Sequence, residues 1–172
     1  MASKHNVQFT VEIPIDLDAA DREELGDLII EHIRARTLDG RGIDEGGWKG
    51  KAGQYTKAYK AASGKSEPVD LELTGEMLDG LNILTHDVGY IDIGYSAGDS
   101  LAEKVEGNTT GSYGRSPNSS KARNFLGIDG KILDEFVEGL RDERISEEEF
   151  AIEESDAEIQ ATVDSILAEQ GF

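Results

Sequence analysis

The side chains best suited to acid, base or nucleophilic work near neutral pH are His5, His32 and His86, and cysteine is absent. A hydrolase needs a nucleophile beside a base, or a set of metal ligands. The three imidazoles are scattered, and neither an HExxH nor a calcium-loop spacing occurs. Without cysteine, disulfides, thiol catalysis and cysteine metal sites are excluded. His32 falls at the edge of an apolar helical stripe with no second ligand at a metal-binding spacing, so a satisfied ring nitrogen is expected there. Carboxylates are plentiful, but paired acids for glycoside chemistry require placement that abundance does not supply. Gly64-Lys65-Ser66 resembles the end of a phosphate-binding loop, yet Tyr59 stands where that motif requires its first glycine. The expectation is a protein that is not an enzyme, with no catalytic, metal or cofactor-binding residues.

Charge narrows the partners. Across 172 residues, 36 acidic side chains face 17 basic ones, a formal net charge of -19. Such a surface repels a phosphate backbone. Residues 134–169 hold 14 acidic and two basic residues, so this stretch carries most of the excess. Solvated helix faces, a salty medium and a surface that must not adhere to passing nucleic acid are three readings of it. The composition, 37% hydrophobic and 31% charged, is that of a soluble globular protein. No run approaches the ~20 apolar residues of a membrane span, and MASKHNVQ lacks the apolar core of a secretory signal.

The elements that would position any site follow from periodicity. Val7, Phe9, Val11, Ile13, Ile15 and Leu17 occupy consecutive odd positions, which predicts a half-buried strand, at an edge or bent where Pro14 lacks a donor. Asp18 or Asp21 can cap a helix carrying Leu25, Leu28, Ile29, His32 and Ile33 and stopping near Gly40. Residues 39–53 contain six glycines and the only tryptophan, Trp48, so an irregular connection is expected there. A short helix over Tyr55–Ala62 precedes Pro68 and the alternating Val69, Leu71 and Leu73. From Leu73 to Gly94 the chain reads as a turn or helix start at Thr74-Gly75, a polar reversal at Thr85-His86-Asp87 and a strand through Ile91 and Ile93. Asp99 or Ser100 can cap a helix ending at Gly107, and residues 107–122 form a long Gly/Ser/Asn/Thr loop. Ile132, Leu133, Phe136, Val137 and Leu140 trace a helix capped by Asp129. Beyond it, Ser146 with Glu149 and Ser155 with Glu158 have capping-box spacing, and Ile159, Val163, Ile166 and Leu167 make a narrow apolar seam.

The expected fold is α+β: a small antiparallel sheet, made of the N-terminal strand and the central hairpin, packed by amphipathic helices. Domain boundaries are expected at 1–144 for this body and 145–172 for an acidic helical extension.

The succession Trp48, Leu73-Thr74-Gly75 with Leu78 and Leu81, Ile93-Gly94, Ala102 with Gly107, and Arg123 with Phe125-Leu126-Gly127-Ile128 before a terminal helix resembles the tail-completion, or virion-morphogenesis, family of tailed phages and archaeal tailed viruses. The likeness spans about residues 20–144, while the tail from Ile145 lies outside it. It implies a structural neck or head-tail connector protein, a ring of six copies that joins the tail to the capsid connector and lets DNA through without binding it. Its partners would be itself and neighbouring neck and tail proteins, with no membrane and no cofactor. Its place would be the virion, and the host cytoplasm during assembly. Candidate subunit or partner contacts are Trp48, Tyr113, Arg115, Arg123 and Phe125, with Ile159, Val163, Ile166 and Leu167 of the tail. The acidity also suits a halophilic host. A reading of a different class is a small acidic adaptor that binds a partner through its C-terminal helix.

Overall fold

A computed structural model describes residues 4–55, 57–64, 76–112 and 119–169. The chain divides into two compact units, 1–133 and 134–172.

In the first unit, strand β1 (Val7–Glu12) stops before Pro14, which has no N–H to continue a ladder. Ile13 N–H still donates to the Gly89 carbonyl at 3.0 Å. The odd-position alternation then fails at Ile15, which is 78% exposed, while Leu17 is buried. Helix α1 (Ala19–Leu38) begins with a reciprocal capping box: Asp18 accepts from the Ala20 and Asp21 amides, and Asp21 accepts from the Asp18 amide. Asp18 is therefore the cap, and Asp21 its third-position partner. The helix ends at Asp39, followed by Gly40 in the left-handed region.

After a single 3-10 turn at Gly50–Gly53, the short helices α2 (Lys57–Ser63) and α3 (Glu76–Asp79) lead to β2 (Asn82–Asp87) and β3 (Tyr90–Tyr95). The expected alternation at Val69, Leu71 and Leu73 and the turn or helix start at Thr74-Gly75 lie outside the described residues. The chain reverses at Val88-Gly89, two residues later than its polarity predicts. Thr85, His86 and Asp87 are strand residues paired to Asp92, Ile91 and Tyr90. β2 is an edge strand, so polar side chains are tolerated along it.

The sheet has the order β1-β3-β2, antiparallel throughout, so the N-terminal strand and the central hairpin form one sheet as expected. Its packed face carries Val11, Ile91, Ile93 and Tyr95, which are buried. On the other face Thr10 donates to Asp92 at 2.6 Å. Two glycines permit close approach. A Cβ at Gly26 would fall 2.4 Å from Ile83, so α1 lies close on the sheet. A Cβ at Gly94 would fall 2.2 Å from the Val7 carbonyl, so the central strand needs glycine opposite β1.

Helix α4 (Ser100–Thr110) is capped by Asp99 and buries Ala102, Val105 and Gly107. It does not stop at Gly107 but runs one further turn to Gly111, whose left-handed φ of 74° ends it. Gly107 instead lies buried within the helix, without a side chain to pack.

Helix α5 (Gly130–Glu169) is continuous over 40 residues, with Asp129 accepting from the Lys131 amide at its start. The boundary expected at 144/145 thus falls inside a helix. Neither serine of the tail starts a helix. Ser146 donates back to the Asp142 carbonyl four residues earlier, which satisfies its hydroxyl in mid-helix.

Candidate interaction surfaces

The polar centre of the first unit is built by arginines that bond to backbone carbonyls. Arg36 lies on the inward stripe of α1, three residues after Ile33, and is fully buried. Its guanidinium donates to the Phe125 carbonyl at 2.7 Å and also to the Gly127 carbonyl. A third contact, at 3.5 Å, reaches the Glu45 carboxylate. Burial lowers the pKa of Arg36, opposed by the nearby Glu45 charge. Arg34, two positions earlier, donates to the carbonyls of Leu78, Asp79 and Leu81. These bonds satisfy the end of α3, whose carbonyls have no continuing helix. Arg22 donates to the Leu17 carbonyl.

Glu45 gathers the glycine-rich segment around this centre. One carboxylate oxygen lies 2.8 Å from His32 Nε2 and 3.5 Å from Arg36, and the other accepts from Arg41 at 3.0 Å. Its backbone adopts φ 56°, uncommon outside glycine. The Gly42 amide donates to the Gly46 carbonyl, the Ile43 amide to the Asn124 carbonyl and the Trp48 amide to the Gly40 carbonyl. The segment is thus an organised loop rather than an irregular connection. His32 has the satisfied ring nitrogen expected of it. With both oxygens of Glu45 held by cationic or imidazole nitrogens, the cluster works as a latch joining α1, the 41–48 loop and the 124–127 segment.

The candidate contact residues separate into four groups. Phe125 faces inward, which corrects its nomination as a partner contact, and Arg123 is half-buried. Phe125 is 0% exposed. The Arg123 guanidinium donates to the Ala52 carbonyl at 2.9 Å and to Asn108 at 3.1 Å, linking the glycine-rich segment to α4. Trp48 is half-buried, its indole N–H enclosed without a hydrogen-bond partner among the described residues, so it packs locally against the loop around Gly42. Ile159 and Val163 are exposed on α5, where a partner could reach them. Tyr113, Arg115 and the side chains of Ile166 and Leu167 lie outside the described residues.

Sequence reasoning missed Arg36, Arg34 and Glu45. One signal was available: Arg36 continues the apolar stripe of Ile29 and Ile33 at helical spacing, and a charge there must find partners in the interior.

Two further apolar surfaces are exposed. Ile15, Val88 and Tyr90 flank the β2-β3 turn. On the second unit, every described side chain from Arg141 to Ser165 is exposed, including Ile145, Phe150 and Ile152. Among the described residues no group of three or more histidine and acidic side chains is placed to hold a metal ion, and no helix is long and apolar enough to cross a membrane. No protein-family model, curated protein or solved structure matches this chain.

Proposed function

We propose that this protein is a structural component of a virion neck, a tail-completion protein that assembles as a ring of six copies between the tail and the capsid connector. The observation that supports this most directly is the role of the Arg123-Asn124-Phe125-Leu126-Gly127 segment. In the sequence it carries the resemblance to tail-completion proteins. In the fold it is where α1, the glycine-rich loop and α4 are tied together, through Arg36 and Arg123. A motif used to lock a scaffold, rather than to line a cleft, suits a protein whose work is binding energy and not turnover. A closed ring needs two different complementary surfaces on each subunit. The tip at Ile15, Val88 and Tyr90 is available for one of them. The net charge of -19 would let DNA pass through the lumen without adhering.

Native mass measurement and electron microscopy of the full chain, alone and mixed with connector and tail proteins, test the reading. A discrete ring with a central opening is expected. A chain that stays monomeric under both conditions would remove it. The second reading, an acidic adaptor that binds through its C-terminal helix, is favoured by the exposure of Ile152 and Ile159 and predicts that monomer.

A further inference from the structure

Beyond Arg144 the isoleucines of α5 are not spread as in a helix that covers a core. Ile145, Ile152, Ile159 and Ile166 stand seven residues apart, one per heptad. The backbone is helical through all four positions. The first three side chains are 54%, 61% and 59% exposed. Seven residues fall about 20° short of two full turns, so the four positions form one slowly drifting ridge.

A second copy of this helix is a poor occupant. A paired coil needs two apolar positions per heptad. Three residues after each of the first three isoleucines stand Glu148, Ser155 and Thr162, and four residues after them stand Glu149, Asp156 and Val163. The four-residue register would set Glu149 and Asp156 in the seam and the three-residue register Glu148, Ser155 and Thr162, so neither continues a second apolar position through the stretch. Residues 145–169 also contain nine acidic residues and no lysine, arginine or histidine, and residues 1–133 are net negative as well.

We propose that the 145–166 stretch of α5 is a docking helix for a separate protein that offers an apolar groove rimmed with lysine and arginine. The isoleucine ridge would enter the groove, and the acidic flanks would meet its rims. Helix-in-groove recognition uses such a ridge, and complementary charge sets the choice of partner and the speed of encounter. The proposal stands apart from the ring reading. Ring formation without groove binding would sink this proposal alone, and groove binding by a monomer would sink the ring alone.

The test uses the full chain and two designed helical hairpins that present the same leucine groove, one rimmed with lysine and one with glutamate. In roughly 0.15 M salt, where exposed charges are screened only beyond about 8 Å, the lysine-rimmed hairpin should bind at least about tenfold more tightly. Ile152→Ala with Ile159→Ala should weaken that binding by about tenfold or more. Helicity should be kept, since alanine favours the helix. Equal binding of the two hairpins, or unchanged binding by the alanine variant, overturns the proposal. So does a dimer in sedimentation equilibrium that the alanine variant abolishes, which would assign the ridge to a second copy.

Discussion

Helix α1 and the 145–166 stretch of α5 both read as amphipathic helices, and both carry isoleucine on their apolar side. In α1, Leu25, Ile29, Ile30 and Ile33 are almost completely buried, whereas Ile145, Ile152 and Ile159 are more than half exposed. The width of the stripe separates them. α1 places its apolar residues at i, i+4, i+5 and i+8, broad enough to cover a sheet, and Gly26 lets it approach closely. The 145–166 stretch offers a narrower ridge, one isoleucine per heptad joined by Val163, which a groove can receive. Polar chemistry divides in the same way. The first unit uses its arginines on its own carbonyls, while the tail leaves its carboxylates to solvent.

The sharpest way to break this comparison is at Arg36. Arg36→Met removes the donor for the Phe125 and Gly127 carbonyls and leaves Glu45 short of a cation. A loss of roughly 3–5 kcal/mol is expected, the usual scale for deleting one partner of a buried charged pair. Urea unfolding followed by tryptophan fluorescence measures it, since Trp48 sits in the loop that the latch holds. A loss under about 1 kcal/mol would show that the carbonyls find other donors.

A smaller effect is expected from Gly94→Ala. The new methyl would collide with backbone atoms of Val7 and Gln8, which cannot swing away as a side chain would. The expected cost is about 1–3 kcal/mol, with faster amide hydrogen exchange along β1, because the β1-β3 ladder must yield.

Next is Tyr95, whose hydroxyl donates to the Met77 carbonyl. Burial raises its pKa well above the ordinary tyrosine value. The folded state therefore holds the phenolic proton more tightly than the unfolded chain does. Stability from this group is complete below about pH 10 and declines as the pH rises beyond that value. Tyr95→Phe should cost about 1 kcal/mol at neutral pH and flatten the alkaline decline in a pH series of unfolding midpoints. An unchanged decline would assign it to other groups.

How much of this was legible follows the same division. The α+β class, the edge position of β1, the capping of α1, α4 and α5 and the broad stripe of α1 were readable, because each depends on residues close in sequence. Arg36 was not, since its acceptors are carbonyls 89 and 91 residues away and a carbonyl has no letter in a sequence. Phe125 was visible within a motif but misread as surface, because a motif does not state which way it faces. The end of α4 was placed a turn too early because glycine within a helix and glycine that ends one look alike until φ is known. The tail serines looked like caps for a related reason: a cap requires an unpaired helix start, and α5 has none at either serine.

The smallest effect expected on stability is also the most informative about the tail. Deleting residues 145–172 removes only exposed side chains among those described, so the unfolding free energy of the first unit in a urea series should change by less than about 0.5 kcal/mol, as for surface changes away from packed groups. The deleted stretch should also respond to salt when present. Like charges four residues apart, such as Glu149 with Glu153 and Glu154 with Glu158, disfavour the helix at low ionic strength. The difference in helicity between full-length and truncated protein should therefore grow from low to molar salt, read by circular dichroism. An unfolding free energy that falls by about 2 kcal/mol or more on deletion would mean that the tail contributes to the core. The isoleucine ridge would then have its groove within this chain, and the contrast between a broad buried stripe and an outward ridge would fail.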